Sequence, residues 1–228
     1  QLVSGVNLET VAGLEAGGWL QAVVESDGQQ RFHIPTAVRH ALRTRLSPEE
    51  LHSARQAWAK FCQDLAARSD AETYTTNFYQ AVLDVNANRS AIRETLDFLL
   101  SEGRWGELIE FAKVLGLYWR HATDPQVGVE TLKSLLAREE VLAMDPETLA
   151  DLRLILGGLY RMIGQARAAK VQYDAAWNVF QDSTDVQGRL RSLFGLASYY
   201  HETGDIQQER PLLMAADELA AEHDQPIM

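Results

Sequence analysis

Apolar residues recur at intervals of three and four along most of this chain, which predicts a succession of amphipathic helices. The pattern sets in at Pro35, where Pro35-Thr36 can open a helix that runs through Arg45. Ser47-Pro48-Glu49-Glu50 is a stronger start: a serine cap, proline at the first position, and acids against the positive helix end. Leu51, Ala54, Trp58, Phe61, Cys62 and Leu65 then form the expected buried stripe. Further helices are expected over about 72–85, 88–101, 105–121, 126–142, 146–163, 166–181, 186–202 and 206–223. Asp145-Pro146-Glu147 repeats the cap-and-proline start.

Residues 1–34 read differently. Leu8, Val11, Ala12, Leu14 and Leu20 carry a partial helical pattern that is interrupted at Gly17-Gly18. Trp19 to Val24 then reads as a strand, Asp27-Gly28 as a hairpin turn, and Arg31 to Ile34 as the returning strand. A helix followed by a two-stranded wing resembles the end of a winged helix. The pattern begins abruptly at Gln1, so the rest of such a domain is expected upstream.

The most specific signal is internal repetition. Gly157, Tyr160, Gly164, Tyr173 and Ala176 correspond, 40 positions on, to Ala197, Tyr200, Gly204, Leu213 and Ala216. A shift of 41 in the other direction reaches Gly116, Trp119, Thr123, Leu132 and Leu135. A small residue in mid-helix lets a paired helix approach, the aromatic three positions later fills the groove beside it, and glycine at the turn accepts positive φ. This order resembles the tetratricopeptide (TPR) repeat, best over residues 152–181. Over 192–221, Glu209 stands where a small residue is usual, and Pro211 lies where it would shorten or kink the second helix. The alternative is an irregular helical bundle. The expected fold is therefore all-α: TPR-like antiparallel helical hairpins in a superhelix, preceded by a small winged-helix remnant with a β-hairpin wing. The corresponding divisions are 1–46 for the winged-helix end, 47–104 for a helical linker region, and 105–228 for the repeats.

Composition narrows the function. The formal net charge is −11, from 32 acidic residues against 21 Lys and Arg. The nearest approach to a basic cluster is Arg31, Arg39, Arg43 and Arg45, so direct nucleic-acid binding by this segment is not expected. No apolar run reaches the roughly 20 residues of a membrane helix. Residues 1–10 lack the features of a signal peptide, and Cys62 is the single cysteine, which together predict a reduced, cytoplasmic protein. None of the six histidines has metal-ligand spacing, no G-x-S-x-G elbow occurs, and Cys62 falls on an apolar stripe. Glu49-Glu50 and Glu139-Glu140 suit helix ends better than catalysis. The expectation is a protein without enzymatic activity, metal or catalytic residues.

A more particular resemblance spans nearly the whole chain. Arg31-Phe32-His33-Ile34-Pro35-Thr36-Ala37-Val38-Arg39, followed by Ala41 and Leu46, is similar to the "RY-x-M-L-E-T-V-R-x-Y-A-x-x-x-L" pattern. That pattern joins wing to helix in AfsR-like members of the STAND class, the signal-transduction ATPases. Asn88 to Ile92 with Leu96 resembles their "N-L-R-A-A-L" element, and Tyr118-Trp119 with Val129-Glu130-Thr131-Leu132 resembles "F-W … E-G-x-x-W-L". The resemblance implies an upstream P-loop module that binds ATP or ADP, then a winged helix, then TPR repeats that receive an inducer or partner protein. This chain has no G-x-x-x-x-G-K-[ST], so no cofactor is expected within it. Some relatives place a phosphate-sensing histidine after the wing. Pro35 aligns there, and His33, two residues earlier, is read as a strand histidine instead.

In TPR stacks the concave face is lined by the first helix of each pair. Aligning Gly116, Gly157 and Ala197 places Lys113, Leu154 and Phe194 in one inner column, and Arg120, Arg161 and His201 in the next, with Asp151, Met162, Arg191 and Glu202 nearby. The expected partner is a protein or peptide with an acidic or carboxylate-ended segment, held by Arg120 and Arg161. The alternative is that these arginines pair with acids inside the stack. The chain runs out at Asp224 to Met228, where a further repeat would begin, so self-association through an open C-terminal repeat is also expected. The function that follows is a regulatory protein-interaction segment of a STAND-type transcriptional regulator; the alternative is a stand-alone TPR adaptor.

Overall fold

The regular apolar spacing produces helices throughout the larger part of the chain, and in a computed structural model the described residues are all-α apart from one short hairpin. The structure describes residues 8–24, 30–35, 37, 40–41, 45–72, 75–121 and 125–223. The chain divides into two compact units, residues 1–61 and 62–228. The expected Asp27-Gly28 turn, most of the helix expected from Pro35 to Arg45, Thr123, and residues 224–228 lie outside the described residues.

In the first unit, α1 (Leu8–Ala16) ends where Gly17-Gly18 interrupts the pattern, and Gly18 takes the left-handed conformation with φ 73°. Strands β1 (Gln21–Val24) and β2 (Gln30–His33) pair antiparallel, with Gln21 opposite His33 and Val24 opposite Gln30. Helix α2 (Pro48–Ala71) begins in this unit and continues past its boundary. Its start is a reciprocal capping box: the Ser47 hydroxyl accepts from the Glu50 amide (3.2 Å), and the Glu50 carboxylate accepts from the Ser47 amide (2.8 Å). The expected stripe is displaced at its beginning. Ala54 and Trp58 are exposed, and the buried edge starts at Ala59, with Trp58 stacked on Phe61.

In the second unit, Cys62, Leu65 and Ala66 of α2 are buried. Burial pushes the Cys62 thiol up, Glu94 adds to the rise, and the Thr95 hydroxyl pulls against it. That is the environment of an inert core thiol. Helix α3 (Phe78–Ala87) starts later than the sequence pattern predicts. The Thr75 hydroxyl donates to the Glu72 carbonyl and accepts from the Asn77 amide, so local side-chain bonds take the backbone groups that a helix would have used. Helices α4 (Arg89–Ser101) and α5 (Trp105–His121) follow, joined through Gly103 at φ 65°.

The region expected as one helix over 126–142 is two: α6 (Pro125–Leu136) and the single turn α7 (Glu139–Leu142), separated by an extended Arg138. Helical periodicity explains the break. Gly128, Val129, Leu132 and Leu135 share a buried face, whereas an unbroken helix would aim Val141 at the opposite side. The break turns Val141 into the interior, where it is fully buried.

Two tight hairpins complete the unit. α8 (Pro146–Met162) packs on α9 (Ala166–Phe180), and α10 (Val186–Thr203) packs on α11 (Ile206–Glu222). Each turns at a glycine with positive φ, Gly164 at 74° and Gly204 at 75°, the two positions that the repeat aligns. Aspartates cap three of these helices, Asp145 from the Thr148 amide (2.9 Å), Asp185 from the Gly188 amide (3.0 Å) and Asp205 from the Gln208 amide (3.2 Å). Bonding to Thr148 holds the Asp145 carboxyl below its ordinary pKa. Pro211 does not shorten α11, which runs through it to Glu222.

Consecutive pairs also touch. The second helix of one pair meets the first helix of the next (α6 with α8, α9 with α10), and the first helices meet one another (α5 with α8, α8 with α10). Small residues set these approaches. A Cβ on Gly157 of α8 would stand 2.5 Å from the Tyr173 ring, and one on Gly195 of α10 would stand 2.6 Å from the same ring, so Tyr173 of α9 is wedged between two backbones. Gly116 works differently from its aligned counterpart Gly157. Its open side meets Ile155 of the next first helix, and Gly128 supplies the close contact between α5 and α6, against Trp119.

Candidate functional site

The first helices α5, α8 and α10 carry charged side chains that join across consecutive helices. Lys113 of α5 reaches Asp151 of α8 at 3.0 Å and Glu110 at 3.3 Å. The other oxygen of Asp151 accepts from Arg191 of α10 at 2.8 Å. Arg191 also lies 3.8 Å from Asp185 and donates through Nε to the Gln187 carbonyl at 3.2 Å. Asp151 is thus the bridge, with both oxygens engaged and its side chain 15% exposed. Burial works against the Lys113 ammonium, but Asp151 and Glu110 outweigh it and hold its pKa above the ordinary lysine value.

A second cross-link lies further along the same helices. Arg161 of α8 donates to Glu202 of α10 at 3.1 Å, with both side chains 39% exposed. Beneath it, burial raises the Tyr173 hydroxyl pKa, while the nearby Arg161 and Arg120 guanidiniums pull it down. His201 faces Glu209 across the α10–α11 turn, Nδ1 to Oε1 at 3.0 Å. Glu209 therefore occupies its unusual repeat position as the partner of His201, with its side chain only 17% exposed.

These contacts bring Lys113, Asp151 and Arg191 into one group, and Arg120 and Arg161 around Tyr173. The predicted columns need correction at their apolar members. Leu154 is 8% exposed and lies in a core cluster with Ala150, Ala169, Tyr173 and Ala176, so it is interior and lines no open face. Its side of α8 is covered because that helix packs against α9 as well as α5, α6 and α10. Phe194 is half-buried and packs against a second cluster formed by Leu190, Leu193, Ala216, Leu219 and Ala220. The basic column of Arg120, Arg161 and His201 is likewise not an open row of cations, because Arg161 is ion-paired with Glu202 and His201 faces Glu209; outside it, Lys113 and Arg191 are both held by Asp151.

Glu110, Asp185 and Glu209 complete the network and were not singled out as site residues from the sequence. The signal for two of them is local: Glu110 lies three residues before Lys113, and Asp185 caps the helix that carries Arg191. Tyr118 of α5 is buried, and loss of solvent pushes its hydroxyl pKa up to about 12 against the pull of Arg89. Among the described residues no group of His, Cys, Asp and Glu could hold a metal ion, and no helix is long and apolar enough to cross a membrane. No protein-family model matches the chain, and no curated protein matches it in sequence.

Proposed function

We propose that this chain is the protein-interaction segment of a STAND-type transcriptional regulator, and that the charged face of α5, α8 and α10 receives the partner. One observation carries the reading. Of the three ion pairs described between first helices, Asp151–Arg191 and Arg161–Glu202 span 40 and 41 positions, one repeat period, and Lys113–Asp151 joins the same row two positions short of it, as expected for hairpins stacked with their first helices side by side. Such a row is the surface on which TPR-like stacks hold extended segments. The antiparallel pair β1–β2 after α1 is consistent with the wing that the AfsR-like resemblance implies. ATP or ADP belongs, on this reading, to an upstream P-loop module.

The partner is a protein or peptide with an acidic or carboxylate-ended segment. Arg161 is already bound to Glu202, but a half-exposed ion pair is worth only about 0–1 kcal/mol. An incoming carboxylate that also reaches Arg120 can displace Glu202 at little cost. The test uses a labelled glutamate-rich peptide with a free C-terminus, followed by fluorescence polarisation at low salt. Arg120→Gln with Arg161→Gln is expected to weaken binding roughly tenfold while helicity stays unchanged, since losing two half-exposed ion pairs at about 0.7 kcal/mol each removes about 1.4 kcal/mol. Glu202→Gln, which releases Arg161, is expected to strengthen binding. Equal affinity in all three proteins would remove the acidic-partner reading.

A further inference from the structure

Tyr173 belongs to the second helix α9, yet its ring reaches between two first helices. A Cβ on Gly157 of α8 would stand 2.5 Å from the ring and one on Gly195 of α10 2.6 Å, so both backbones close on it and little of it is exposed. The hydroxyl end lies along α8, where a Cβ on Gly158 would come within 4.0 Å of the oxygen. Arg161 follows Gly157 by four residues and Glu202 follows Gly195 by seven, so each stands on the face of its helix that the ring touches. The Arg161–Glu202 pair, at 3.1 Å, therefore closes the same seam that the ring fills.

A wedge needs only the ring. Phenylalanine would fill the seam as well, so packing leaves the hydroxyl without a task, and burying one costs free energy unless it is hydrogen-bonded. This hydroxyl is bonded to the Arg161 guanidinium, and Arg120 stands near enough to act on it electrostatically. A guanidinium carries five N–H donors in a planar fork. One can go to the phenol oxygen and one to Glu202, while the others remain for an incoming carboxylate. The arginine stem is flexible and half-exposed, and a side chain of that kind loses rotamer freedom when a ligand orders it. The tyrosine ring has no such freedom, because two backbones grip it. Its oxygen is a fixed post against which Arg161 can be held in advance.

We infer that Tyr173 is a positioning residue for the partner: its hydroxyl oxygen accepts from Arg161 and keeps that guanidinium aimed at the carboxylate that displaces Glu202. The inference rests on the acidic-partner reading of this face. Tyr173→Phe keeps the wedge and removes only the oxygen, and its effect is read with the labelled glutamate-rich peptide by fluorescence polarisation on the full chain. Affinity should fall about threefold, no more than the share of a half-exposed ion pair. In the Arg161→Gln protein the same change should leave affinity unaltered, because there is no guanidinium left to hold. In the Glu202→Gln protein, where Glu202 no longer helps to fix Arg161, it should cost more, about fivefold. A tyrosine that only filled space would weaken all three proteins alike, and that non-additivity is what separates positioning from packing. Circular dichroism checks that each variant remains folded. If Arg161→Gln weakens binding but Tyr173→Phe has no effect, or has the same effect with and without Arg161, this inference falls and the acidic-partner reading stands. If Arg161→Gln itself leaves affinity unchanged, both fall.

Discussion

Trp119→Ala is expected to destabilise the second unit by about 3–5 kcal/mol, the range for removing a large aromatic from a core that cannot collapse. Trp119 of α5 is 2% exposed and is among the largest fully buried side chains. A Cβ on Gly128 would meet its ring base at 2.8 Å and the Leu159 side chain at 2.7 Å, so α6 rests against the indole and α8 closes the same space. Three helices define the cavity that truncation would leave, and none can fill it without moving its whole packed face. Domains of this size are stable by only about 5–15 kcal/mol, so the loss is a large fraction of the total. Urea unfolding measures it directly. A change under about 1 kcal/mol would mean that the ring is not the spacer between these helices.

The second large effect is a contrast between neighbours. Gly157→Ala should cost about 2–3 kcal/mol, near the upper end for overpacking, whereas Gly158→Ala should be neutral or stabilise by up to about 1 kcal/mol through helix propensity. The added methyl at 157 meets the Tyr173 ring at 2.5 Å, and the ring cannot retreat because the backbone of Gly195 lies against it from α10. The added methyl at 158 finds only the Tyr173 hydroxyl, at 4.0 Å. Both substitutions change the same backbone entropy, so their difference isolates the wedge. Thermal unfolding of the two variants side by side tests this, and equal midpoints would contradict the packing described.

Where local chemistry decides, the sequence is a good guide to this fold. The bounds of α5 at 105 and 121 coincide with the expected ones, and α8 to α11 depart by a residue or so, because Asp145-Pro146, Gly164 and Gly204 mark their ends in any context. Periodicity alone was misleading where tertiary burial decides. The break at Arg138 exists to bring Val141 inside, and Ala59 replaces Trp58 at the start of a buried edge, which residue type alone would not suggest. The charged face shows the same split. Arg161 and Arg191 could be assigned to the first helices from the repeat, but their partners depend on the axial register of adjacent helices, and that register places Glu202 and Asp151 opposite them. Leu154 is the clearest case: its column position is shared with Lys113, yet a leucine on a helix surrounded by others is drawn inside.

The central claim, that this chain is the interaction segment of a larger nucleotide-switched regulator, is tested most directly by reading the coding DNA upstream of Gln1. The account predicts an open frame carrying a G-x-x-x-x-G-K-[ST] phosphate loop, followed by the remainder of a winged helix that leads into α1. A start codon immediately before Gln1 would contradict it and leave a free-standing helical adaptor.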